Sequence, residues 1–349
     1  MEIIQNAFEK TLSDHIKTLN LDAAQTEELI ARLPKTIDGI VSHSADVILE
    51  TLSRDAPRML KQRRSEISRF EKRNQLRWKP GIDLLEEFLV ITYEVGADFN
   101  DSFRQLASTE QDHVFDILTK LHARSCQVGY EVLLLIKNGF ADAAHARWRT
   151  LHENAVVAFV IAKHGQDLDE RYSLHEVIES YKAMVEYQAN TQTLHLEEIS
   201  VEELEKTKIA RDTLIKRFGL KFTRQYGWAA GITSNFSFSD LEIEAGLAHL
   251  RPYYRMASHN IHANVKGVNF KLGVAPHAEP LLLAGPSNYG FTDPAHGTAI
   301  SLLQVTSALL LTRPNLDRLV AIKILEKLEE KIGDEFLTIQ KKIESEVKS

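Results

Sequence analysis

Residues 141–163 read ADAAHARWRTLHENAVVAFVIAK, and this stretch decides the fold. Its second half, residues 155–162, contains only Ala, Val, Phe and Ile, so every face of a helix formed there is apolar. A helix that is apolar all round belongs in a protein interior, where neighbouring helices cover it. Gly165 follows where a helix stop is expected. We therefore expect a bundle of helices built around residues 141–163.

Helical signals dominate the rest of the chain. Ser239 followed by Glu242, for example, has the capping-box pattern and predicts a helix that starts near residue 240. Two-residue alternation, the signal of a strand, is confined to residues 268–272, with residues 280–283 as its pairing partner. The predicted fold is all-α, a multi-helix bundle with long amphipathic helices and at most one short β-hairpin near residues 268–283.

Three regions are predicted along the chain. Residues 1–80 form an N-terminal helical region with a basic arm, which ends where Pro80 and Gly81 interrupt the helical pattern. Residues 81–312 form a helical core domain that carries the candidate site. Residues 313–349 form a C-terminal amphipathic helix, which by default packs against its own bundle and alternatively pairs with a second subunit.

Composition excludes several classes of protein. The 349 residues include 42 Lys and Arg against 49 Asp and Glu, a net charge of -7, so the overall basic excess of a DNA-coating protein is lacking. The single cysteine, Cys126, excludes an intramolecular disulfide and a Cys-rich metal site, and it suits a reducing compartment. No apolar run approaches the roughly 20 residues that cross a bilayer. We expect a cytoplasmic protein without a transmembrane segment.

No cofactor or metal is predicted. The chain lacks a phosphate-binding loop with a following lysine, a His-Glu-x-x-His motif, a Gly-x-Ser-x-Gly motif and a dinucleotide fingerprint. His259 and His262 lie three residues apart, but no carboxylate stands at a familiar companion spacing for a metal ligand.

Ionisable side chains fill the first half of the 141–163 stretch. His145, Arg149, His152 and Glu153 follow at i, i+4, i+7 and i+8, which places them along one surface of the helix. One interpretation is structural: Arg149 and Glu153 form an ion pair, and the histidines bond backbone carbonyls. The other is a functional site, in which an arginine holds an anion or phosphate and His152 acts as acid or base.

A second polar segment lies at residues 251–264. A helix there would place Arg255, His259 and His262 at i, i+4 and i+7, with Ser258 four residues before His262.

Both polar faces are expected to converge on one cleft. The glycine-rich loop at residues 285–290, which contains Ser287, would form its edge.

A basic helix is predicted at residues 61–79, where eight Lys and Arg stand against two Glu. It is either a solvated surface or, with Phe70 and Trp78 interleaved, a surface for RNA, DNA or an anionic membrane. The candidate phosphate contacts are Arg63, Arg64, Arg69 and Arg73.

Two resemblances bear on function. The motif Trp148-Arg-Thr-Leu-His-Glu153, followed much later by Ser258-His-x2-His262 and Gly285-Pro-Ser287, resembles an uncharacterised bacterial family of helical domains over about residues 115–312. That resemblance implies a helical fold with a polar site, without an established activity.

A weaker similarity is to the HEPN superfamily of helical ribonucleases and nucleotide-binding proteins. Arg147-x4-His152 and Arg255-x6-His262 both fit its short arginine–histidine motif. The similarity implies metal-independent RNA cleavage, in which His152 takes the proton of the 2′-hydroxyl and Arg147 stabilises the phosphorane charge. It also implies a homodimer.

Two functions are therefore predicted as alternatives. The first is a HEPN-like, metal-independent ribonuclease of a bacterial stress or defence system. The second is a non-catalytic helical sensor or adaptor that binds a small anionic ligand or a protein partner in the same cleft. The candidate catalytic residues are Arg147, Arg149, His152, Glu153, His259 and His262. The candidate substrate-binding residues are His145, Arg255, Ser258, Ser287, Arg63, Arg64, Arg69 and Arg73.

Overall fold

A computed structural model describes residues 3–19, 22–233, 235–276 and 282–348, and these residues form helices and loops without a β-strand. The all-α prediction is confirmed. The helices are α1 (Ile3–Leu19), α2 (Ala23–Arg77), α3 (Lys79–Glu110), α4 (His113–Lys137), α5 (Ala141–Leu194), α6 (Val201–Phe218), α7 (Phe238–Glu244), α8 (Arg251–His259), α9 (Val265–Asn269), α10 (Thr292–Leu310) and α11 (Leu316–Lys348).

The chain divides into two units, Met1–Phe70 and Glu71–Ser349, and the boundary falls inside α2. In the first unit, which contains α1 and most of α2, none of the side chains whose exposure is described is buried. The second unit contains the hydrophobic core. The boundaries expected at residues 80 and 312 stay predictions.

Helix α5 is central to the second unit, as its apolar half predicts. Ala155, Val156, Val160 and Ile161 have no exposed surface, and α4 and α10 make the most extensive contacts with this helix. Gly165 breaks α5 with a φ of 23°, which confirms the helix end expected there. The polar first half of α5 is thus held inside a packed bundle.

Trp78 lies at the break between α2 and α3 and is fully buried. Its ring centroid lies 5.1 Å from that of Phe291 and 5.5 Å from that of Phe336. Because Phe336 belongs to α11, the default interpretation of the C-terminal helix, packing against its own bundle, is confirmed. The expectation that Trp78 is an aromatic platform for nucleic acid is wrong, because the core covers its ring.

No strand forms at residues 268–272. Asn264 caps α9 by accepting a hydrogen bond from the Gly267 amide at 2.8 Å, so Val268 lies in a helical turn. The amides of Leu272 and Gly273 donate instead to the carboxylate of Asp142 on α5, at 3.0 and 3.3 Å. Of the expected partner strand, Pro280 and Leu281 lie outside the described residues.

Candidate functional site

Two buried histidines enclose a tryptophan on one face of α5. The ring of Trp148 stacks on His145 with centroids 5.2 Å apart and on His152 with centroids 5.5 Å apart. Trp148 Nε1 donates to the Gly297 carbonyl oxygen at 2.7 Å and to Ser301 Oγ at 3.0 Å, which fixes the ring against α10. Spacings of three and four residues place all three rings on one helix face. We refer to His145, Trp148 and His152 as the α5 stack.

At one end of the stack, His152 meets a buried carboxylate. His152 Nε2 lies 3.0 Å from Glu242 Oε1, and neither side chain has any exposed surface. Because a carboxylate only accepts, Nε2 carries the proton of this hydrogen bond. Arg251 of α8 forms an ion pair with the other oxygen of Glu242. Glu242 therefore joins side chains of α5 and α8, and His152 Nδ1 is left without a hydrogen-bond partner in the described structure.

The expected capping box of Ser239 and Glu242 is wrong. Ser237 is the residue that caps α7, and its side chain forms the capping box with Asp240. The helix therefore starts at Phe238, and Glu242 falls in its second turn, where its carboxylate faces the interior. Sequence reasoning missed Glu242 and Arg251 as site residues.

A second polar group lies beside this triad. Arg149 Nε donates to Glu153 Oε1 at 3.0 Å, and Tyr254 Oη donates to the same oxygen at 2.7 Å. The Arg149 guanidinium also lies 4.7 Å from the centre of the Tyr254 ring. Burial and the bond to Glu153 raise the pKa of Tyr254, so its phenol stays protonated. The ion pair of the structural interpretation is confirmed, although His152 bonds Glu242 rather than a backbone carbonyl.

Arg147 is directed away from His152. Its guanidinium forms an ion pair with Glu131 of α4, and its Nη1 lies 3.3 Å from Thr150 Oγ1. Five residues separate Arg147 from His152, which corresponds to about 140° around a helix. The two members of the short arginine–histidine motif therefore bind partners on different helices.

The expected polar face of residues 251–264 is wrong at His262, whereas Arg255 and His259 do lie on one helix. Helix α8 ends at His259, because the chain turns at residues 260–263 before α9 begins. His259 Nδ1 lies 3.0 Å from Asn264 Nδ2, whereas Arg255 and His262 are exposed. The residue of this segment that reaches α5 is Tyr254, through Glu153 and Arg149.

Two serines named as candidate ligands make local hydrogen bonds. Ser258 Oγ donates to the Tyr254 carbonyl oxygen one turn earlier, at 2.7 Å. The Ser287 amide donates to the Gly139 carbonyl oxygen at 2.8 Å, and its hydroxyl donates to the Gly273 carbonyl oxygen. Ser287 therefore fastens its loop to the start of α5.

At the other end of the stack, His145 forms part of the wall of a cavity of about 150 Å³. Neither ring nitrogen of His145 has a hydrogen-bond partner in the described structure, and the side chain is 0% exposed. Burial lowers the pKa of His145 to about 4, so the ring is neutral at physiological pH.

The rest of the cavity wall is mostly apolar. Leu250, Tyr253 and Ile300 line it, and Tyr253 is exposed, which gives the cavity an edge towards solvent. Asp293 also lines it, and burial raises the pKa of this carboxyl group. His296, at the same wall, is bonded to Glu329 at 2.5 Å.

The basic arm carries its candidate contacts on α2. The side chains of Arg63, Arg64, Arg69 and Arg73 are exposed. Arg63 Nη1 lies 3.3 Å from Glu66, an i, i+3 pair on the surface. A surface pair of this kind contributes little to stability, so it does not hold Arg63 away from a partner. The four exposed arginines are therefore all accessible.

Two further kinds of feature are absent from the described residues. No cluster of three His, Cys, Asp or Glu side chains is arranged to hold a metal ion. No described helix combines the length and apolar character that crossing a membrane requires.

Residues 115–276 match a family of unknown function, DUF5677. The match extends from α4 to the segment after α9 and includes the α5 stack, Glu242 and Tyr254. It confirms the resemblance to an uncharacterised family for residues 115–276, and the Gly285-Pro-Ser287 part of the predicted motif lies outside the match. No curated protein and no solved structure gave a significant match to the chain.

Replacing Glu242 with Ala tests the buried triad. The change leaves His152 and Arg251 without their carboxylate, and we expect the free energy of unfolding to fall by about 3 kcal/mol. Glu244→Ala is the matched control, because Glu244 lies on the same helix and its partly exposed carboxylate binds Lys163 and His164. Its loss should cost about 1 kcal/mol or less. Denaturant unfolding measures both, and equal losses would contradict the assignment.

Proposed function

We propose that the second unit is a non-catalytic ligand-binding domain, the sensor alternative, and that it holds a small neutral ring compound in the cavity beside His145. One observation carries the proposal: a fully buried histidine, with both ring nitrogens unpartnered, forms part of a cavity wall. A buried polar group without a partner costs about 1–3 kcal/mol. Both ring nitrogens of His145 are buried in this conformation, so a ligand bonds to one of them only when the ring turns towards the cavity, and that bond then recovers the energy.

Cavity size limits the ligand to a single ring. The volume of about 150 Å³ equals that of an engineered apolar cavity in another protein that binds benzene. Leu250 and Ile300 offer apolar contact, and Trp148, whose ring faces are covered by His145 and His152, also lines the cavity. A ring with one hydroxyl or ring nitrogen would fill this space and bond to His145.

Charge favours a neutral ligand over the small anion that the sequence predicts. His145 is uncharged at physiological pH, since the pKa of its ring is lowered to about 4. Asp293 places a carboxyl group in the wall, and His296 is already paired with Glu329. An anion would therefore meet a carboxyl group without gaining an unpaired cation.

The acid and base groups of α5 support binding over catalysis. His152 has no exposed surface and is bonded to Glu242, so an RNA 2′-hydroxyl cannot reach it in this conformation. Arg149 is paired with Glu153 and Arg147 with Glu131. Each of these groups binds another side chain of the protein instead of facing a substrate, and the one unpartnered ring nitrogen of His152, Nδ1, is itself buried.

Binding of phenol tests the proposal. We expect the full chain to bind phenol with a dissociation constant of about 1 mM or below, measured by calorimetry or by ligand-detected NMR. Toluene, which cannot bond to His145, should bind about 2–12-fold more weakly, the equivalent of one hydrogen bond. Benzoate, which has a similar ring and a negative charge, should not bind measurably.

Histidine variants provide the control for this measurement. His145→Phe keeps a ring beside Trp148 but removes both nitrogens, so phenol should lose its advantage over toluene. His249→Phe makes the same change at an exposed histidine outside the cavity, and it should bind phenol as the parent does. Absence of phenol binding, or equal binding by His145→Phe, would overturn the proposal.

Ribonuclease activity stays the second candidate. The observation that favours it is the grouping of Arg149 and Arg251 around the Tyr254 ring, beside the His152–Glu242 pair. A HEPN-like mechanism, RNA binding by the basic arm, a bacterial defence setting and a cytoplasmic location all remain predictions of the sequence.

Cleavage of total RNA and tRNA in EDTA tests that candidate. A metal-independent ribonuclease would cleave RNA in the chelator, and His152→Ala and Arg149→Ala would abolish cleavage. Circular dichroism must show that both variants fold. If the parent does not cleave, or the folded variants cleave equally well, the ribonuclease hypothesis fails.

A further inference from the structure

Helix α2 carries unpartnered apolar side chains through most of the first unit. Among the described side chains from residue 37 to residue 67, nine large apolar ones expose 38–62% of their surface. No described side chain in residues 4–70 is buried. Amphipathic helices in proteins gain most of their stability by packing an apolar face against another element. The apolar side chains of this part of α2 have no such packing partner among the described residues.

Four of these side chains lie on one stripe. Val41, Ile48, Leu52 and Met59 are separated by seven, four and seven residues. At 100° per residue they fall within about 40° of one another around the helix axis. The four positions are symmetric about residue 50, because Val41 and Met59 are equally far from it along the chain, and so are Ile48 and Leu52. Glu50 itself lies on the opposite side of the helix.

We propose that the first unit forms an antiparallel homodimer through this stripe, with a two-fold axis beside residue 50. A two-fold axis there places Val41 opposite Met59 of the partner subunit and Ile48 opposite Leu52 of the partner subunit. An isologous interface needs such a self-complementary pattern, because each residue pair occurs twice. A symmetric stripe therefore fits a second copy of the chain better than it fits an unrelated protein.

Residues beside the stripe fit the same arrangement. The antiparallel geometry brings Ala45 next to Ala56 of the partner subunit, and two small side chains allow the helices to approach closely. It also brings Arg63 next to Asp38 of the partner subunit. In the single chain, Arg63 is bonded only loosely, to the exposed Glu66 at 3.3 Å.

Charge selects the antiparallel orientation over the parallel one. Residues 61–73 contain six Lys and Arg and two Glu, whereas residues 27–39 contain three acidic and two basic residues. Antiparallel pairing sets the basic segment against the weakly acidic one. Parallel pairing would set two strongly basic segments side by side, which electrostatic repulsion opposes. The dimer is independent of the cavity beside His145 and of the function proposed for it.

Sedimentation of the full chain tests the dimer. We expect the parent to be a dimer at micromolar concentration, and Leu52→Glu to raise the dissociation constant about 30-fold or more. Val47→Glu is the matched control: Val47 is 50% exposed on the same helix but lies off the stripe, so the variant should stay dimeric. A monomeric parent, or equal effects of the two variants, would overturn the proposal.

Two further variants test orientation. Asp38→Arg should weaken the dimer, and adding Arg63→Asp in the same chain should restore it, because each pair contains one residue from each subunit.

A short bis-maleimide should link an Ala45→Cys chain to an Ala56→Cys chain but neither variant to itself, and the native Cys126 is buried. Self-linking of each variant would indicate parallel helices and overturn the proposal. RNA binding by a chain that stays monomeric would assign the helix to nucleic acid instead.

Discussion

The packing of Trp148 between two buried histidines is the interaction on which the second unit depends. Its indole bonds to Gly297 and Ser301, which locks α5 to α10, the second most extensive contact that α5 makes. Gly297 is required at this crossing, because a Cβ there would lie 2.9 Å from Trp148 Nε1. A polar half-helix can enter the interior only if each polar group finds a partner or a cavity. The α5 stack determines which groups find one.

The two ends of the α5 stack differ in the hydrogen-bond partners of their histidines. His152 at one end is bonded to Glu242, which also pairs with the partly exposed Arg251, and these bonds offset the cost of burying His152 and Glu242. His145 at the other end has no such partner and adjoins open space. At the first end only His152 Nδ1 is left without a hydrogen-bond partner, whereas at the second end both ring nitrogens of His145 are unpartnered and the ring lines a cavity, which is why binding is assigned there.

The central helix and part of its polar cluster could be predicted from the sequence, because both are local. An all-apolar run, the stop at Gly165 and the four-residue spacing of Arg149 and Glu153 follow from helix geometry alone. Glu242 could not be found in this way, since it lies 90 residues from His152. The spacing of Ser239 and Glu242 fits a capping box and so predicts a helix-capping role for Glu242. In the structure Ser237 and Asp240 form that capping box instead.

The second polar segment shows the same limit. Helical spacing predicts one face from Arg255 to His262, but Asn264 starts a new helix and the turn before it removes His262 from that face. The cavity lay beyond sequence reasoning as well, because its walls come from α5, α8, α10 and the turn before α8. The most direct test of the account is NMR of the histidine ring nitrogens in the full chain between pH 4 and 8, with the His145 signals assigned from their loss in His145→Phe. Burial beside Trp148 predicts that His145 stays neutral until about pH 4. Titration of His145 near the ordinary value of about 6.5 would show a solvated ring and contradict the buried stack.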